Sequence, residues 1–294
     1  MIQAACALLL LTTLCIVVVI LYGTRQLLIL PRPPTRPTPD TLGLPYEAVS
    51  FMTVDAITLR GWFFSQPGAP VIIYCPGRGK GLNAFDFRYA PLFYHAGYQV
   101  LMFDWRGMGA SEGRSSMGYW EQLDLKAAVV YLRQRGVTQK IGALGTSLGA
   151  AVVYLAAGSI PELSAVAGEC GFATFEGMIA DGMHVLYGLP LPVARPLAWL
   201  IARLAAWLRR FPLRAADPVR TIAAISPRPV FIIHGTQDRH VPVQSAYALY
   251  VAAREPKTLW TPPVAHTEAL EKVEAEFRQR VLAFFDHWLK DEHH

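Results

Sequence analysis

The sequence is poor in cysteine, and it lacks the spacings that cysteine and histidine adopt at metal sites. Only four cysteines occur in 294 residues, and no two of them form a C-x-x-C pair. Cys6 and Cys15 fall in an apolar N-terminal run, while Cys75 and Cys170 fall at the ends of predicted strands. This pattern favours buried free thiols over a disulfide framework or a zinc site. We therefore expect neither a metal ion nor an organic cofactor.

Charged residues are also scarce, at 17% of the chain, and none occurs between residues 1 and 24. The formal net charge is +5, and a basic balance of this kind can indicate binding to nucleic acid. However, no stripe of basic residues alternates with aromatic residues, and the chain contains no nucleic-acid motif and no internal repeat. We expect no nucleic-acid partner, and membrane phospholipid is the simpler anionic neighbour.

An apolar run without charges extends from Gln3 to Tyr22. As a helix, about 20 residues rise about 30 Å, which is enough to cross the core of a bilayer. A cleaved signal peptide is the alternative, but the run has no basic region before it and no A-x-A-like cleavage site after it. We interpret residues 1–24 as an uncleaved, single-pass transmembrane anchor.

A proline-rich segment follows the anchor, with five prolines between Pro31 and Pro39. Because proline sustains neither a helix nor a sheet ladder, residues 25–45 are predicted to form a semi-rigid spacer. Three arginines follow the anchor closely, at Arg25, Arg32 and Arg36, whereas only the α-amino group is charged before it. The positive-inside bias therefore predicts that the rest of the chain lies in the cytoplasm.

Past the spacer, short apolar strand signals alternate with helical ones. This order predicts an α/β fold with a mostly parallel, eight-stranded sheet that helices cover on both faces. The predicted strands are 47–53, 57–64, 71–74, 100–103, 140–144, 163–167, 230–233 and 257–260, the first two forming an antiparallel ribbon. The main predicted helices are 84–95, 119–135, 150–157 and 269–289. The long insertion before the strand at 230–233 predicts a helical cap over residues 174–215.

The run Gly145-Thr146-Ser147-Leu148-Gly149 lies between a predicted strand and a helix of small residues. A G-x-S-x-G run in this setting is typical of a nucleophile elbow, where glycines let strand and helix pass closely and the serine is strained. A second match, centred on Ser111, follows a polar glycine-rich loop and precedes no helix of small residues. The context therefore selects Ser147 as the candidate nucleophile, with Ser111 as the alternative.

A serine nucleophile needs a base, and the base needs a third group to orient it. Asp238 follows the predicted strand 230–233, and His266 follows the next strand, 257–260. Because loops after parallel strands open at one edge of the sheet, both side chains should meet Ser147 there. Glu169 is the rival acid, since it ends the strand after the elbow helix. We expect the other loop histidines to be structural polar groups, with the base role as their alternative; they are His95, His234 and His240.

These motifs resemble the α/β-hydrolase superfamily over residues 46–290, and within it esterase-like hydrolases with an N-terminal membrane anchor. The resemblance implies that Ser147 is the nucleophile, Asp238 the acid and His266 the base. It also implies that the backbone N–H groups of Leu148 and Arg78 bind the oxyanion. The loop Pro76-Gly77-Arg78-Gly79 departs from the family pattern, because relatives usually carry His-Gly there.

The sequence thus predicts a membrane-anchored serine hydrolase, with residues 46–292 as its catalytic domain, that cleaves small acyl esters or thioesters through an acyl-enzyme. A serine peptidase or amidase would use the same triad, and a hydrolase-like protein that binds without turnover is a third possibility. Within the cap, the stretch Leu191–Phe211 is apolar and carries arginines but no acid. It is predicted either to roof the pocket or to contact membrane lipid.

Overall fold

The computed structural model describes residues 1–30 and 37–290 of the chain. Its centre is one eight-stranded sheet, in the order β1-β2-β4-β3-β5-β6-β7-β8. The strands are β1 Glu47–Met52, β2 Thr58–Phe64, β3 Val71–Cys75, β4 Gln99–Phe103, β5 Ile141–Thr146, β6 Leu163–Glu169, β7 Val230–Ile233 and β8 Lys257–Trp260. β2 pairs antiparallel with both β1 and β4, and all pairs from β4 to β8 are parallel. The predicted α/β fold with a mostly parallel, eight-stranded sheet is confirmed.

Helices cover both faces of this sheet, and alternate residues of a strand reach opposite layers. The helices are α1 Ile2–Leu28, α2 Ala84–Phe87, α3 Tyr89–Tyr94, α4 Glu121–Gln134, α5 Leu148–Ala156, α6 Phe175–Tyr187, α7 Leu191–Arg209, α8 Pro218–Thr221, α9 Gln244–Ala252, α10 Ala269–Lys272 and α11 Glu274–Phe285. In β3, Ile73 packs into the layer that contains α4 to α7 and α9, whereas Ile72 packs against α2, α3 and the C-terminal helices. The central strands β3 and β5 are buried along their whole length, as expected for parallel strands covered on both faces.

Two predicted helices are divided in the structure. The stretch 84–95 forms α2 and α3, because Pro91 has no N–H to donate to the carbonyl of Phe87 and so cannot continue one helix across Arg88. The stretch 269–289 divides at Val273, whose φ of −131° and ψ of 44° are not helical, and α11 ends in a π turn. The elbow helix begins at Leu148, two residues before the predicted start.

The N-terminal helix α1 continues to Leu28, four residues into the predicted spacer, because the first proline of that segment is Pro31. Among the described residues, α1 and α7, the long helix of the predicted cap, are long and apolar enough to be candidate membrane spans. The last turns of α1 pack on α7, where a Cβ added to Gly23 would lie 2.7 Å from Cδ1 of Ile201. Most of the proline-rich stretch of the predicted spacer, residues 31–36 with Arg32 and Arg36, lies outside the described residues, as do 291–294 at the end of the predicted catalytic domain.

Candidate active site

Ser147 lies at the junction of β5 and α5, in a strained backbone conformation with φ 52° and ψ −114°. Its N–H donates to the carbonyl of Glu169 at 2.7 Å, which ties the turn to the end of β6. The flanking glycines leave no room for a side chain. A Cβ at Gly145 would lie 2.3 Å from the carbonyl carbon of Gly149, and one at Gly149 would lie 1.9 Å from the carbonyl oxygen of Cys75. The turn therefore requires glycine at both positions for steric reasons.

The structure brings three of the predicted residues together in one chain of hydrogen bonds. The Nε2 atom of His266 lies 3.0 Å from Oγ of Ser147, and its Nδ1 atom lies 2.6 Å from Oδ2 of Asp238. An ionised carboxylate only accepts hydrogen bonds, so Nδ1 donates to Asp238. In a neutral ring Nε2 is then free to accept the hydroxyl proton of Ser147. This is the arrangement in which an imidazole can act as a base towards a serine.

The environment of Asp238 keeps its carboxylate charged. Its side chain is buried, which acts to raise its pKa, but hydrogen bonds to the rings of His234 and His266 outweigh burial and hold the pKa well below its ordinary value. The N–H groups of His240 and Val241 also donate to Oδ1, at 2.8 and 2.9 Å. His234 is expected from the sequence to be a structural polar group, and its Nε2 atom lies 2.7 Å from the carbonyl oxygen of Val241 and 3.3 Å from Oδ2 of Asp238.

The rival residues have other partners. Glu169 is buried, and it accepts from the hydroxyl of Tyr89 and the N–H of Ala269, both at 3.1 Å. Burial raises the pKa of Glu169 despite these bonds. Ser111 is also buried, and its Oγ atom donates to the carbonyl of Asp104 at 2.6 Å. Neither residue has a hydrogen bond to His266 in the described part of the chain.

The rings of His95 and His240 likewise take no part in the hydrogen bonds that join Ser147, His266 and Asp238. The ring centroid of His240 lies 5.3 Å from that of His266, and His95 caps the end of α3. Ser147, Asp238 and His266 are thus the predicted residues that the fold brings into contact. Their catalytic roles stay a prediction.

A cavity of about 170 Å³ opens beside Ser147. Its lining combines the loop after β3, the elbow and the histidine loop, namely Gly77, Arg78, Gly79, Gly81, Asn83, Phe85, Asp86, Thr146, Ser147, His266 and Thr267. A Cβ at Gly77 would lie 3.4 Å from Cβ of Ser147, so this loop borders the serine. The loop is held by Trp105, whose Nε1 atom donates to the carbonyl of Pro76 at 2.8 Å. The backbone N–H groups of Leu148 and Arg78 remain the predicted oxyanion donors.

Asp86 is a cavity residue that sequence reasoning missed. The hydroxyl of Tyr74 donates to its Oδ1 atom at 2.8 Å, and the N–H of Asn83 donates to Oδ2 at 3.0 Å. Burial raises the pKa of Asp86 to about 6. The signal available in the sequence was the spacing Asn83-x-x-Asp86, which forms a capping box at the start of α2. That spacing indicates a helix start, and it carries no information about the neighbouring serine.

One group of buried side chains could in principle hold a metal ion. The ligand atoms of Cys170, His234 and Asp238 lie within 4.8 Å of one another. Asp238 already accepts hydrogen bonds from the ring of His266 and from the N–H groups of His240 and Val241. The Nε2 atom of His234 lies 2.7 Å from the carbonyl oxygen of Val241. The chemistry of these donors fits support of the Asp238 carboxylate better than metal binding.

Comparison with known proteins agrees with this fold. The family model described as the alpha/beta hydrolase fold matches residues 70–191. The uncharacterized protein YqkD of Bacillus subtilis is 31% identical over 238 residues, which cover 78% of this chain and 75% of that protein. A thiohydrolase of Arthrinium phaeospermum is 32% identical over 130 residues, or 42% of each chain. The crystal structure of an esterase from Pyrococcus furiosus superposes with a TM-score of 0.76 at 25% identity, covering 89% of this chain and 98% of the esterase.

Proposed function

Because the chain belongs to the α/β-hydrolase family, we propose that it is a serine hydrolase that cleaves carboxylic esters or thioesters through an acyl-enzyme. The observation that carries the proposal is the continuous chain of hydrogen bonds from Ser147 through His266 to Asp238. Its three members come from separate loops, 119 and 28 residues apart in sequence. All three loops follow the carboxyl ends of strands, which is where ligands bind in open α/β sheets.

In the proposed reaction, Oγ of Ser147 attacks the carbonyl carbon of the substrate as its proton passes to Nε2 of His266. Asp238 stabilises the imidazolium that forms, since its carboxylate is held ionised beside Nδ1. The N–H groups of Leu148 and Arg78 bind the tetrahedral oxyanion. Collapse of this intermediate transfers the proton from His266 to the leaving oxygen or sulfur and leaves an acyl-serine. Water, activated by the same histidine, then releases the acid and restores Ser147.

The relatives favour an ester or thioester as the substrate. One of the similar structures is an esterase, and one related sequence is a thiohydrolase. A peptidase or amidase is the alternative within the same chemistry, and a structure named as an acylaminoacyl peptidase shares this fold at 17% identity. A protein that binds ligand without turnover is the third possibility. The hydrogen-bonded triad argues against this possibility, because a protein that only binds its ligand has no need of all three members.

We also propose that α1 attaches the protein to a membrane. Residues 46–292 are then the catalytic domain, and residues 174–215 within it form the cap. The support is the 27-residue length of α1 and the exposure of its apolar side chains up to Val19. An exposed apolar surface of this size is unfavourable in water, and insertion into a bilayer removes it from water. A signal sequence is the alternative for the same helix. The basic residues after it favour a cytoplasmic catalytic domain.

A fluorophosphonate probe tests the nucleophile, because it reacts only with an activated serine. We expect the full-length protein in detergent micelles to be labelled, Ser147→Ala to lose all labelling, and Ser111→Ala to keep it. Ser111 is the matched control, since it occupies the other G-x-S-x-G run. Labelling that survives Ser147→Ala would contradict the proposal.

The substrate class is tested separately. A panel of p-nitrophenyl esters from acetate to palmitate, compared with acyl-coenzyme A thioesters and an aminoacyl anilide, should give turnover on esters or thioesters. Turnover of the anilide alone would favour the amidase alternative. Labelled protein with no turnover on any member would favour the binding protein.

A further inference from the structure

The end of the N-terminal helix contacts the same edge of the sheet that carries Ser147. The carbonyl of Gln26 accepts a hydrogen bond from the guanidinium of Arg78, in the loop after β3. The carbonyl of Leu28 accepts from Arg209 of α7 at 3.1 Å, and Arg209 also donates to the carbonyl of Ser115, in the loop after β4. Arg78, Ser115 and α7 each belong to a segment that follows the carboxyl end of a strand. The helix therefore ends beside the mouth of the active site.

The length of α1 sets the depth at which the cap helix packs on it. About 20 of its 27 residues suffice to cross the hydrocarbon core. The last turn or two, from about Tyr22 to Leu28, then lies at the level of the headgroups, where tyrosine and arginine are favoured. The contact between Gly23 and Ile201 falls within this stretch, as does the bond from Arg209 to Leu28. The C-terminal half of α7 is thereby held at the height of the membrane surface.

The outward side of the cap has the composition of an interfacial surface. The exposed apolar residues there are Leu186 and Tyr187 at the end of α6, and Trp199, Leu200, Trp207 and Leu208 on α7. Trp207 is 74% exposed. Helix α7 also carries Arg195, Arg203 and Arg209 and no carboxylate. Tryptophan rings favour the boundary between headgroups and acyl chains, and arginines beside them can bind lipid phosphates.

The cavity beside Ser147 is lined without any residue of α6 or α7. The apolar outer side of the cap is thus not the wall of that cavity, and its exposure needs another explanation. A second copy of the chain could cover it. A bilayer is favoured because α7 packs on α1, whose own apolar side chains are exposed, and because α7 carries arginines and no carboxylate.

We infer that α7 lies in the headgroup region of an anionic bilayer, so that the catalytic edge of the sheet faces the membrane and the active site takes an acyl amphiphile held in that bilayer. The substrate part of this inference rests on the proposed hydrolase function. The membrane part rests on the proposed membrane attachment by α1, on the packing of α1 against α7, and on the exposed tryptophans and the arginines of α7. The two parts therefore need separate measurements.

Quenching of tryptophan fluorescence by doxyl-labelled lipids tests the membrane part, because doxyl groups quench only fluorophores close to them. The full-length protein is reconstituted in vesicles of phosphatidylcholine and phosphatidylglycerol, and flotation shows that the protein is associated with the vesicles. We expect Trp199→Phe/Trp207→Phe to lose most of the quenching. The matched control is Trp288→Phe, which should lose none. Trp288 lies at the opposite edge of the sheet, where its carbonyl accepts from Lys140 just before β5.

Quenching that is as strong in the double variant as in its parent would overturn the assignment of α7 to the bilayer. Emission that shows Trp199 and Trp207 to be shielded from water, but that the doxyl-labelled lipids do not quench, would overturn it too. That result would indicate that a second copy of the chain covers this surface. Neither result depends on catalysis, so a failure here is distinct from failure of the fluorophosphonate test.

The substrate part is tested with Trp207→Glu, which places a carboxylate against anionic lipid. We expect this variant to hydrolyse a palmitoyl ester embedded in the vesicles several-fold more slowly than its parent, with unchanged turnover of soluble p-nitrophenyl acetate. Val251→Glu is the control, because Val251 is 80% exposed near the end of α9, towards the opposite edge. It should leave both rates unchanged. Equal loss on both substrates, or no loss on either, would contradict delivery from the bilayer.

Discussion

Substitution of Gly149 by alanine should damage both the fold and the site, because the new Cβ would meet backbone rather than a mobile side chain. It would lie 1.9 Å from the carbonyl oxygen of Cys75 and 2.7 Å from that of Pro76. Cys75 cannot withdraw easily, since it is paired with Gly145 inside the sheet. Overpacking costs about 1–3 kcal/mol in typical cores, and we expect about 3 kcal/mol here. For a chain of this size that lowers Tm by roughly 6–12 °C.

The same displacement should slow the chemistry. Movement of Pro76 shifts Gly77 and Arg78, the loop beside Ser147, and a misplacement of about 1 Å can cost about 100-fold in rate. Thermal unfolding of the full-length protein in detergent micelles and the rate of fluorophosphonate labelling measure the two effects. Gly182→Ala is the matched control. It lies in α6 with nothing within 4 Å of its Cβ position, and alanine should stabilise it by about 0.5–1 kcal/mol. A Gly149→Ala protein with the Tm and labelling rate of its parent would refute the steric reasoning.

Three further predictions concern the acid, a buried carboxyl and the membrane topology. Asp238→Asn should lower kcat on an ester about 10⁴-fold, because an amide no longer fixes the Nδ1–H tautomer of His266. Glu169→Gln should lower kcat far less, and the reverse order of the two effects would identify Glu169 as the acid. Burial raises the pKa of Asp86 from 3.8 to about 6, so the stability it contributes is complete below pH 3.8 and is lost as the pH rises through about 6. Asp86→Asn has no such loss. The Tm of the variant relative to that of its parent should therefore rise between about pH 4 and pH 8, by the equivalent of up to about 3 kcal/mol for two pKa units. A difference in Tm that does not change with pH would contradict the raised pKa. Alkaline phosphatase fused at the C-terminus should be inactive in bacterial cells if the catalytic domain is cytoplasmic, and an active fusion would reverse the orientation.

Much of the fold could be predicted because local patterns reflect burial directly. Strands β7 and β8 begin and end at the predicted residues. β7 is a short, fully buried apolar run between turn signals, which is the pattern that indicates a central strand most directly. The elbow was readable because its glycines are required by contacts within a few residues of Ser147 and with the adjacent strand. Helix boundaries were less predictable. The break at Val273 has no proline or glycine to indicate it, and it is apparent only in the backbone angles of the structure.

The sequence by itself determined the order of strands and helices, the strained serine and the edge of the sheet at which Asp238, Glu169 and His266 should gather. Only the tertiary structure decided which carboxylate contacts His266. Glu169 is engaged by Tyr89 and Ala269, which are 80 and 100 residues away in the chain. Tertiary structure also decided that the end of α1 bonds to Arg78 and packs on α7. Periodicity records how each segment meets its immediate surroundings, whereas a contact between distant segments depends on the packing of all the elements between them.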